Sequence, residues 1–370
     1  MQPELINLGL GHPGADLLPL AEFQRMAASA LSSADTALLQ YGAKQGSPAF
    51  RAALAGVLED SLGLATSPDS LLITAGASQG LDLVCTVLSE PGDVVFVEEP
   101  TYFLALLVFA GRGLRVRGIP VDQDGLVIEA LEDALAEERP AFLYTIPTYQ
   151  NPTGVTLSEE RRRRLVELSR QHDLVIVADE VYQLLGIGEP PPAPLLSFDP
   201  EGLVVSVSSF SKILGPGLRL GWIQTSPKVM ERFLSNGMLR SGGGLNPITA
   251  AIVGEGLASG FQREHLGRLR GEFKARLDSL VSAVREELPE AEFIVPGGGY
   301  FLWVRLPGVD AQQLAVAAKE QGVAFHPGPA FSSRGGLREY VRLSWSFYDA
   351  EELAEGIGRL AQAAKPHVAG

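Results

Sequence analysis

The sequence predicts an α/β protein, with a mostly parallel sheet buried on both faces and a smaller α+β unit beside it. Three observations carry that prediction. Short apolar runs rich in β-branched residues alternate with longer amphipathic stretches through the middle of the chain. A long helical pattern over 261–288 follows, expected to join the two units, and beyond it the pattern changes to strands separated by helices. Finally, 46% apolar and 20% charged residues in a chain of 370 make an ordinary globular composition. At roughly 150 residues per domain, that length suggests two to three domains.

Taken in order, Leu71–Ile73 is the first strand-length run, followed by Val94–Val97, Leu114–Val116 and Ala141–Tyr144. Leu174–Val177 and Leu203–Val207 continue the series. Helical stretches lie between most of them. Ser158–His172 is one, with Ser158 placed to cap it and Leu165 and Leu168 on one face. Strands alternating with helices form βαβ units, which bury a parallel sheet on both sides. Leu266, Leu269, Phe273, Leu277, Leu280, Val284 and Leu288 recur every three or four residues, a long amphipathic helix that Pro289 stops. Tyr300–Val304 and Tyr340–Leu343 then read as strands of the smaller unit. Glu189–Pro194 reads as a stiff surface loop.

Lys and Arg total 30 against 44 Asp and Glu, a formal net charge of −14. Such a chain repels phosphate backbones, which disfavours general nucleic-acid binding. One cysteine, Cys85, fits a reducing compartment. The five histidines show no ligand spacing, so no metal site is expected. No apolar run is long enough to span a bilayer, and Met1–Glu4 does not read as a secretory leader, so the expected address is the cytoplasm.

Three motif matches bear on function. Gly9-Leu10-Gly11-His12-Pro13-Gly14 fits a dinucleotide fingerprint, but no strand of useful length precedes it and Pro13 sits where the helix should start. A glycine loop lying close to a ligand is the better reading. Gly76-Ala77-Ser78-Gln79-Gly80 fits a nucleophile elbow between a strand and a helix expected from Gln79. The same strand, glycine turn and helix start also make an anion site, and this stretch alone cannot separate the two. His265 and His326 are available by chain order as hydrolase partners for Ser78.

The third match is spread along the chain. Lys212 follows a buried strand in Phe210-Ser211-Lys212, and Asp179 follows another in Asp179-Glu180-Val181-Tyr182. A buried lysine acts as an amine nucleophile toward a carbonyl, and a carboxylate can hold a pyridinium nitrogen protonated. Singly, each residue has a plain structural reading: a solvated lysine, a turn aspartate, the turn Asn151-Pro152-Thr153-Gly154, an ion-paired Arg342. Together, lysine, acid and phosphate cradle are the equipment for pyridoxal phosphate.

With these residues in place, the chain resembles the fold-type I pyridoxal-phosphate enzymes, and within them the class I/II aminotransferase family, from Asn7 to about Leu360. It looks most like the branch containing 2-aminoadipate and kynurenine aminotransferases. The supporting segments are Gln40-Tyr41-Gly42, Tyr144–Pro147 leading into Asn151–Gly154, Ser209–Lys212, and Pro216–Trp222. The resemblance implies a large domain over 41–274 with a mostly parallel seven-stranded sheet, and a small domain from 1–40 and 275–370. It implies that Lys212 is the Schiff-base lysine and proton carrier, and that Asp179 partners the pyridine nitrogen. Tyr102 would stack on the ring, with Tyr182 and Asn151 donating to its phenolate oxygen. Ala77, Ser78, Ser209 and Arg219 would hold the phosphate, joined by Tyr41 of a neighbouring subunit, which implies a homodimer with shared active sites. Arg342 and the backbone of Gly11 would bind the substrate α-carboxylate, with Asn151 a further substrate-binding residue.

The expected reaction moves an amino group from an α-amino acid to a 2-oxo acid, with 2-oxoglutarate as acceptor. A pyridoxal-phosphate β-lyase uses the same lysine and is the nearest alternative; a serine hydrolase at Ser78 is a remote one. Aminotransferase-like domains also occur as ligand sensors behind a DNA-binding domain, but here the fold starts by Asn7, which argues against that class. Ala77 stands where a hydroxyl residue is frequent, and the loop Gly11–Leu20 has no arginine to meet a distal carboxylate. The side-chain pocket is expected from His12–Leu20, Tyr102 and Gly242–Gly244, with Arg240 its only nearby cation. That lining points to aromatic or aliphatic donors.

Overall fold

A computed structural model describes residues 4–32 and 36–368; residues 1–3, read above for a leader, lie outside them. The large sheet contains β1 (Leu71–Thr74), β2 (Val94–Glu99), β3 (Arg115–Asp122), β4 (Gly125–Leu126), β5 (Phe142–Thr145), β6 (Ile176–Asp179), β7 (Val204–Ser209) and β8 (Gly221–Thr225). Their spatial order is β1-β8-β7-β6-β5-β2-β3-β4. The five strands from β7 to β3 are mutually parallel. β8 runs antiparallel to both β7 and β1.

Alternation within the strands explains why this sheet is buried on both sides. Val95, Val97, Phe142, Tyr144, Val177 and Val205 face one core. Val94, Phe96, Leu143, Ile176, Ala178 and Val204 face a second, which Leu165 and Leu168 of the helix Glu159–His172 help to close. Consecutive side chains of a strand point to opposite faces, so near-continuous apolar runs mean two apolar layers. Ser158 caps that helix by accepting from the backbone N–H of Arg161 at 3.3 Å.

The sheet has eight strands rather than seven, because the glycine turn at Gly125 (φ 95°) lets Gly125–Leu126 fold back on β3 as a two-residue hairpin strand. Strand β8 escapes the sequence reading, since its Gly221 and Trp222 lack the β-branched run that marks the others. The helix after β1 begins at Ala77, two residues before the expected Gln79, because Gly76 (φ 90°) turns the chain directly into it.

The long helix spans Phe261–Glu287 and buries Leu266, Leu269, Phe273, Leu277, Leu280 and Val284; Leu288 leaves the helix before Pro289. A second, antiparallel sheet follows the order Glu292–Phe293, Phe301–Arg305, Tyr340–Ser344, His326–Pro327. The start of the chain joins this side: Ile6–Asn7 pairs in parallel with Val323–Ala324, and Leu8 O accepts from Ser344 N at 2.7 Å. That pairing carries the loop Gly9–Gly14 across the carboxyl ends of the large sheet. No helix of the described residues is long and apolar enough to cross a membrane.

Candidate active site

The site forms where open α/β sheets place ligands, beyond the carboxyl ends of the parallel strands. Asp179 ends β6, Ser209 ends β7 and Thr74 ends β1. Because β8 is antiparallel, its first residue lies at this same edge. Gly221 pairs with Thr74 on one side and Ser209 on the other. A Cβ at Gly221 would lie 2.6 Å from Ser208 O and 2.9 Å from Gly76 Cα, so only glycine lets the three strand ends meet. That junction delivers Arg219, two residues upstream, to the start of the helix Ala77–Leu88. The guanidinium donates to Ala75 O at 3.3 Å and Pro216 O at 3.2 Å and lies 3.5 Å from Ser211 Oγ.

The helix at Ala77 has no side-chain cap and no acid in its first turn. Its free N–H groups, the helix dipole, the hydroxyls of Ser78, Ser209 and Ser211, and Arg219 converge on one anion-shaped corner. Ser209 Oγ also accepts from Ser211 N at 3.0 Å. These groups line a cleft of about 270 Å³ together with Gly11, His12, Tyr102, Asn151, Asp179, Tyr182 and Lys212. Its other wall is apolar, from Leu81, Leu104, Ala105, Val108 and Ile146.

Lys212 Nζ lies at the floor, 5.7 Å from the ring centre of Tyr300 and 6.0 Å from that of Tyr182, and donates to Gly11 O at 2.5 Å. Desolvation, reinforced by the positive charges of Arg342 and Arg219, brings its amine down to about 8. Tyr300 OH donates to the Lys212 carbonyl at 2.5 Å, fixing the backbone beneath the amine. Asp179 is buried, and burial pushes its carboxyl up, against the pull of hydrogen bonds and of Lys212. Tyr144 OH donates to Asp179 Oδ2 at 2.7 Å. Tyr144 pairs with Val177, so it shares a sheet face with Asp179 two residues on. Burial raises the Tyr102 phenol to about 12, so it stays neutral.

Arg342 sits behind Asn151. Its Nη1 donates to Asn151 Oδ1 and its Nη2 to Gly9 O, both at 2.8 Å, while Nε is buried without a partner. Its guanidinium stacks 3.8 Å from the ring centre of Phe301. Burial lowers it to about 10, which leaves it cationic at neutral pH.

Most residues expected from the sequence therefore gather in one cleft. Tyr41 does not: it is 85% exposed. It lines a separate surface groove with Gly242, Gly243 and Gly244, the loop expected at the side-chain pocket. Neither that loop nor Arg240 lines the cleft within one chain. Sequence reasoning misses Tyr144, Ser211 and Gly9. A tyrosine ending an apolar strand beside Asp179's strand is the available signal for Tyr144; nothing local marks the Gly9 carbonyl. The two decoy motifs resolve as well. Gly9–Gly14 is a loop whose Gly14 has no room for a Cβ beside Phe347 O. Ser78 has neither histidine beside it: His265 stacks on Phe261 and His326 packs on Phe103. Among the described residues, no cluster of His, Cys, Asp or Glu could hold a metal.

A desolvated lysine, a buried acid and a helix-start anion corner in one cleft fit pyridoxal phosphate and define a pyridoxal-phosphate enzyme. Residues 3–360 match the family described as aminotransferase class I and II, and the chain belongs to it. It is 33% identical to aromatic-amino-acid aminotransferase 1 of Thermococcus litoralis over 98% of this chain and 88% of that one. It is also 33% identical to an uncharacterized HTH-type transcriptional regulator, YdfD of Bacillus subtilis, over 96% of this chain and 73% of that one. The α-aminoadipate aminotransferase LysN of Thermus thermophilus, crystallised with N-(5'-phosphopyridoxyl)-L-leucine, superposes with a TM-score of 0.90. It is 33% identical, with 99% of this chain and 93% of that one covered. The protein is a pyridoxal-phosphate-dependent aminotransferase.

Proposed function

We propose that this aminotransferase takes the amino group of aromatic or aliphatic α-amino acids and passes it to 2-oxo acids, 2-oxoglutarate among them, with Lys212 as its covalent anchor and proton carrier. The observation that carries the reading is Lys212 Nζ at the floor of the cleft that Asp179 and the anion corner also line. When bound, pyridoxal phosphate supplies an electron sink for the substrate Cα. Asp179, oriented by Tyr144, holds the proton of the pyridine nitrogen. Ala77 and Ser78 N–H groups, Ser209 and Arg219 would hold the phosphate, a group to which an arginine fork is suited. Tyr102 would stack on the ring, and Asn151 and Tyr182, which line the same cleft, would donate to its phenolate oxygen. Arg342 trades its bond to Gly9 O for the substrate α-carboxylate, which Gly11 N–H also meets. Lys212 Nζ, its amine brought down to about 8 at the floor of the cleft, would hold and move the proton of the substrate Cα.

The apolar wall of Leu104, Ala105 and Val108 supports the donor preference. So does the similarity to an aromatic-amino-acid aminotransferase of Thermococcus litoralis. Among the described residues the cleft offers a distal carboxylate no cation beyond the groups reserved for phosphate and α-carboxylate, and a buried charge left unpaired costs about 3–5 kcal/mol, so 2-oxoglutarate is accepted with its distal carboxylate turned toward solvent or met by Arg240. We further propose a homodimer, in which the exposed Tyr41 reaches the partner's phosphate site. Its chain divides into a large domain of 41–274 and a small one of 1–40 and 275–370. The buried lone cysteine supports a cytoplasmic setting.

Two measurements test this. Borohydride treatment of the holoenzyme is expected to fix the cofactor on the peptide containing Lys212; a label elsewhere removes the anchor assignment. Catalytic efficiency for leucine, phenylalanine, 2-aminoadipate and aspartate is expected to favour the first two. A strong preference for either dicarboxylate overturns the apolar-pocket reading, and its loss in Arg240→Ala would identify that arginine as the distal anchor.

A further inference from the structure

Glu98 is the most completely buried acid near the site that the proposed chemistry leaves unused. It is the penultimate residue of β2, is 2% exposed, and among the described residues has no cation in hydrogen-bond or ion-pair contact. Three donors from other elements converge on it. Thr145 Oγ1 donates to Glu98 Oε1 at 2.5 Å. Ile146 N and Gln150 Nε2 donate to Oε2 at 3.1 and 3.0 Å. Gln150, 1% exposed, spends its second amide hydrogen on Pro100 O at 2.7 Å. Its oxygen accepts from Thr153 N at 2.8 Å and Thr153 Oγ1 at 2.7 Å.

Each of these bonds ends near the cofactor cleft. Pro100 lies two residues before Tyr102. Ile146 lines the cleft itself. Gln150 and Thr153 flank Asn151, which in turn carries Arg342. One carboxylate therefore ties the segment presenting the stacking ring to the turn presenting the in-plane donor. The ladder between β2 and β5 stops at Val97 and Tyr144, so the segments beyond it that carry Tyr102 and Asn151 have no pairing between these two strands to hold them at a fixed offset; a buried, fully satisfied polar hub just past the ladder supplies that constraint.

We infer that Glu98 is a positioning residue that sets the spacing between Tyr102 and Asn151 through its bonds to Thr145, Ile146 and Gln150. This rests on the assignment of Tyr102 and Asn151 to the cofactor ring made above. The role is geometric, so a side chain with the same shape and two polar atoms serves it. In Glu98→Gln the amide oxygen can still accept from Ile146 N and Gln150 Nε2, while its NH₂ donates to Thr145 Oγ1. Glu98→Leu satisfies none of the three and strands them in a dry interior.

The test uses the holoenzyme and two readouts: visible circular dichroism of the bound cofactor, which reports how the ring is held, and the single-turnover rate with leucine. Glu98→Gln is expected to stay within about threefold of the parent rate with an unchanged dichroic band. In Glu98→Leu the band is expected to fall at least twofold, and the rate on the order of tenfold to a hundredfold, the range for stranding buried donors. A Glu98→Leu enzyme with the parent band and rate but a lower melting temperature would show a purely structural acid and overturn the inference. So would a Glu98→Gln enzyme as impaired as Glu98→Leu, which would assign the effect to charge. If Glu98→Leu does not fold, Thr145→Val removes one donor at constant shape and decides between a smaller shift of the same band and none. Tyr102→Ala and Asn151→Ala serve as controls: if neither moves the band, the ring assignment fails rather than the role of Glu98.

Discussion

Lys212 offers a direct measure of what the cleft costs the fold. In the apoenzyme its amine sits at about 8, against an ordinary 10.5, because burial strips its water. The unfolded chain therefore holds a proton that the native chain gives up between these two values. Native stability rises with pH across that window, and the penalty is fully present below about 8. The gap amounts to about 3 kcal/mol. Water in the partly open cleft and the lost bond to Gly11 O, about 0.5–1.5 kcal/mol, reduce the gain from removing the charge. Replacing Lys212 by methionine, of similar length and without charge, is thus expected to stabilise the apoenzyme by about 2 kcal/mol at pH 7, using the same two magnitudes. The advantage is expected to shrink as pH climbs from 8 to 10.5. Urea unfolding of both cofactor-free proteins at one protein concentration, at pH 7 and above 10, measures it. Equal or lower stability of Lys212→Met at pH 7, or an advantage that does not change with pH, would refute the desolvation argument.

Asp179→Asn keeps the shape and loses the charge, so cofactor absorbance is expected to persist while single turnover falls by a hundredfold or more (~2.7 kcal/mol or more); normal turnover would show another group protonating the ring. Gly76→Ala places a Cβ 2.7 Å from Arg219 Nη2 at a residue with φ of 90°. Weaker cofactor retention in dialysis, by about tenfold, and a stability loss of about 1–3 kcal/mol are expected; unchanged retention would detach Arg219 from the phosphate corner. Arg342→Lys replaces a bidentate fork by a point charge, so KM is expected to rise for every amino acid tested, with their rank order unchanged. A change in rank order would place Arg342 at the side chain instead.

Runs such as Val94–Val97 and Leu174–Val177 declare both the strands and their burial on two faces, because β-branching and alternation are local properties. A lysine and an aspartate placed just after such strands declare the cleft, because strand ends are where a parallel sheet leaves room for a ligand. The resemblance to a known family then supplied roles for Tyr102, Arg219 and Arg342 that spacing alone did not hold. What the sequence could not disclose is the set of partners that orient these groups. Tyr144 reaches Asp179 across 35 residues, Thr145 reaches Glu98 across 47, and Arg342 reaches Asn151 across 191. None of these pairs has a sequence period; each exists because strand order and register put two ends side by side. The same holds for Gly221, a glycine of the segment Pro216–Trp222 to which the sequence assigned no role, whose missing Cβ lets β1, β7 and β8 close the anion corner. Local pattern determined which atoms could do the chemistry, and tertiary packing alone decided which neighbours hold them within hydrogen-bond reach.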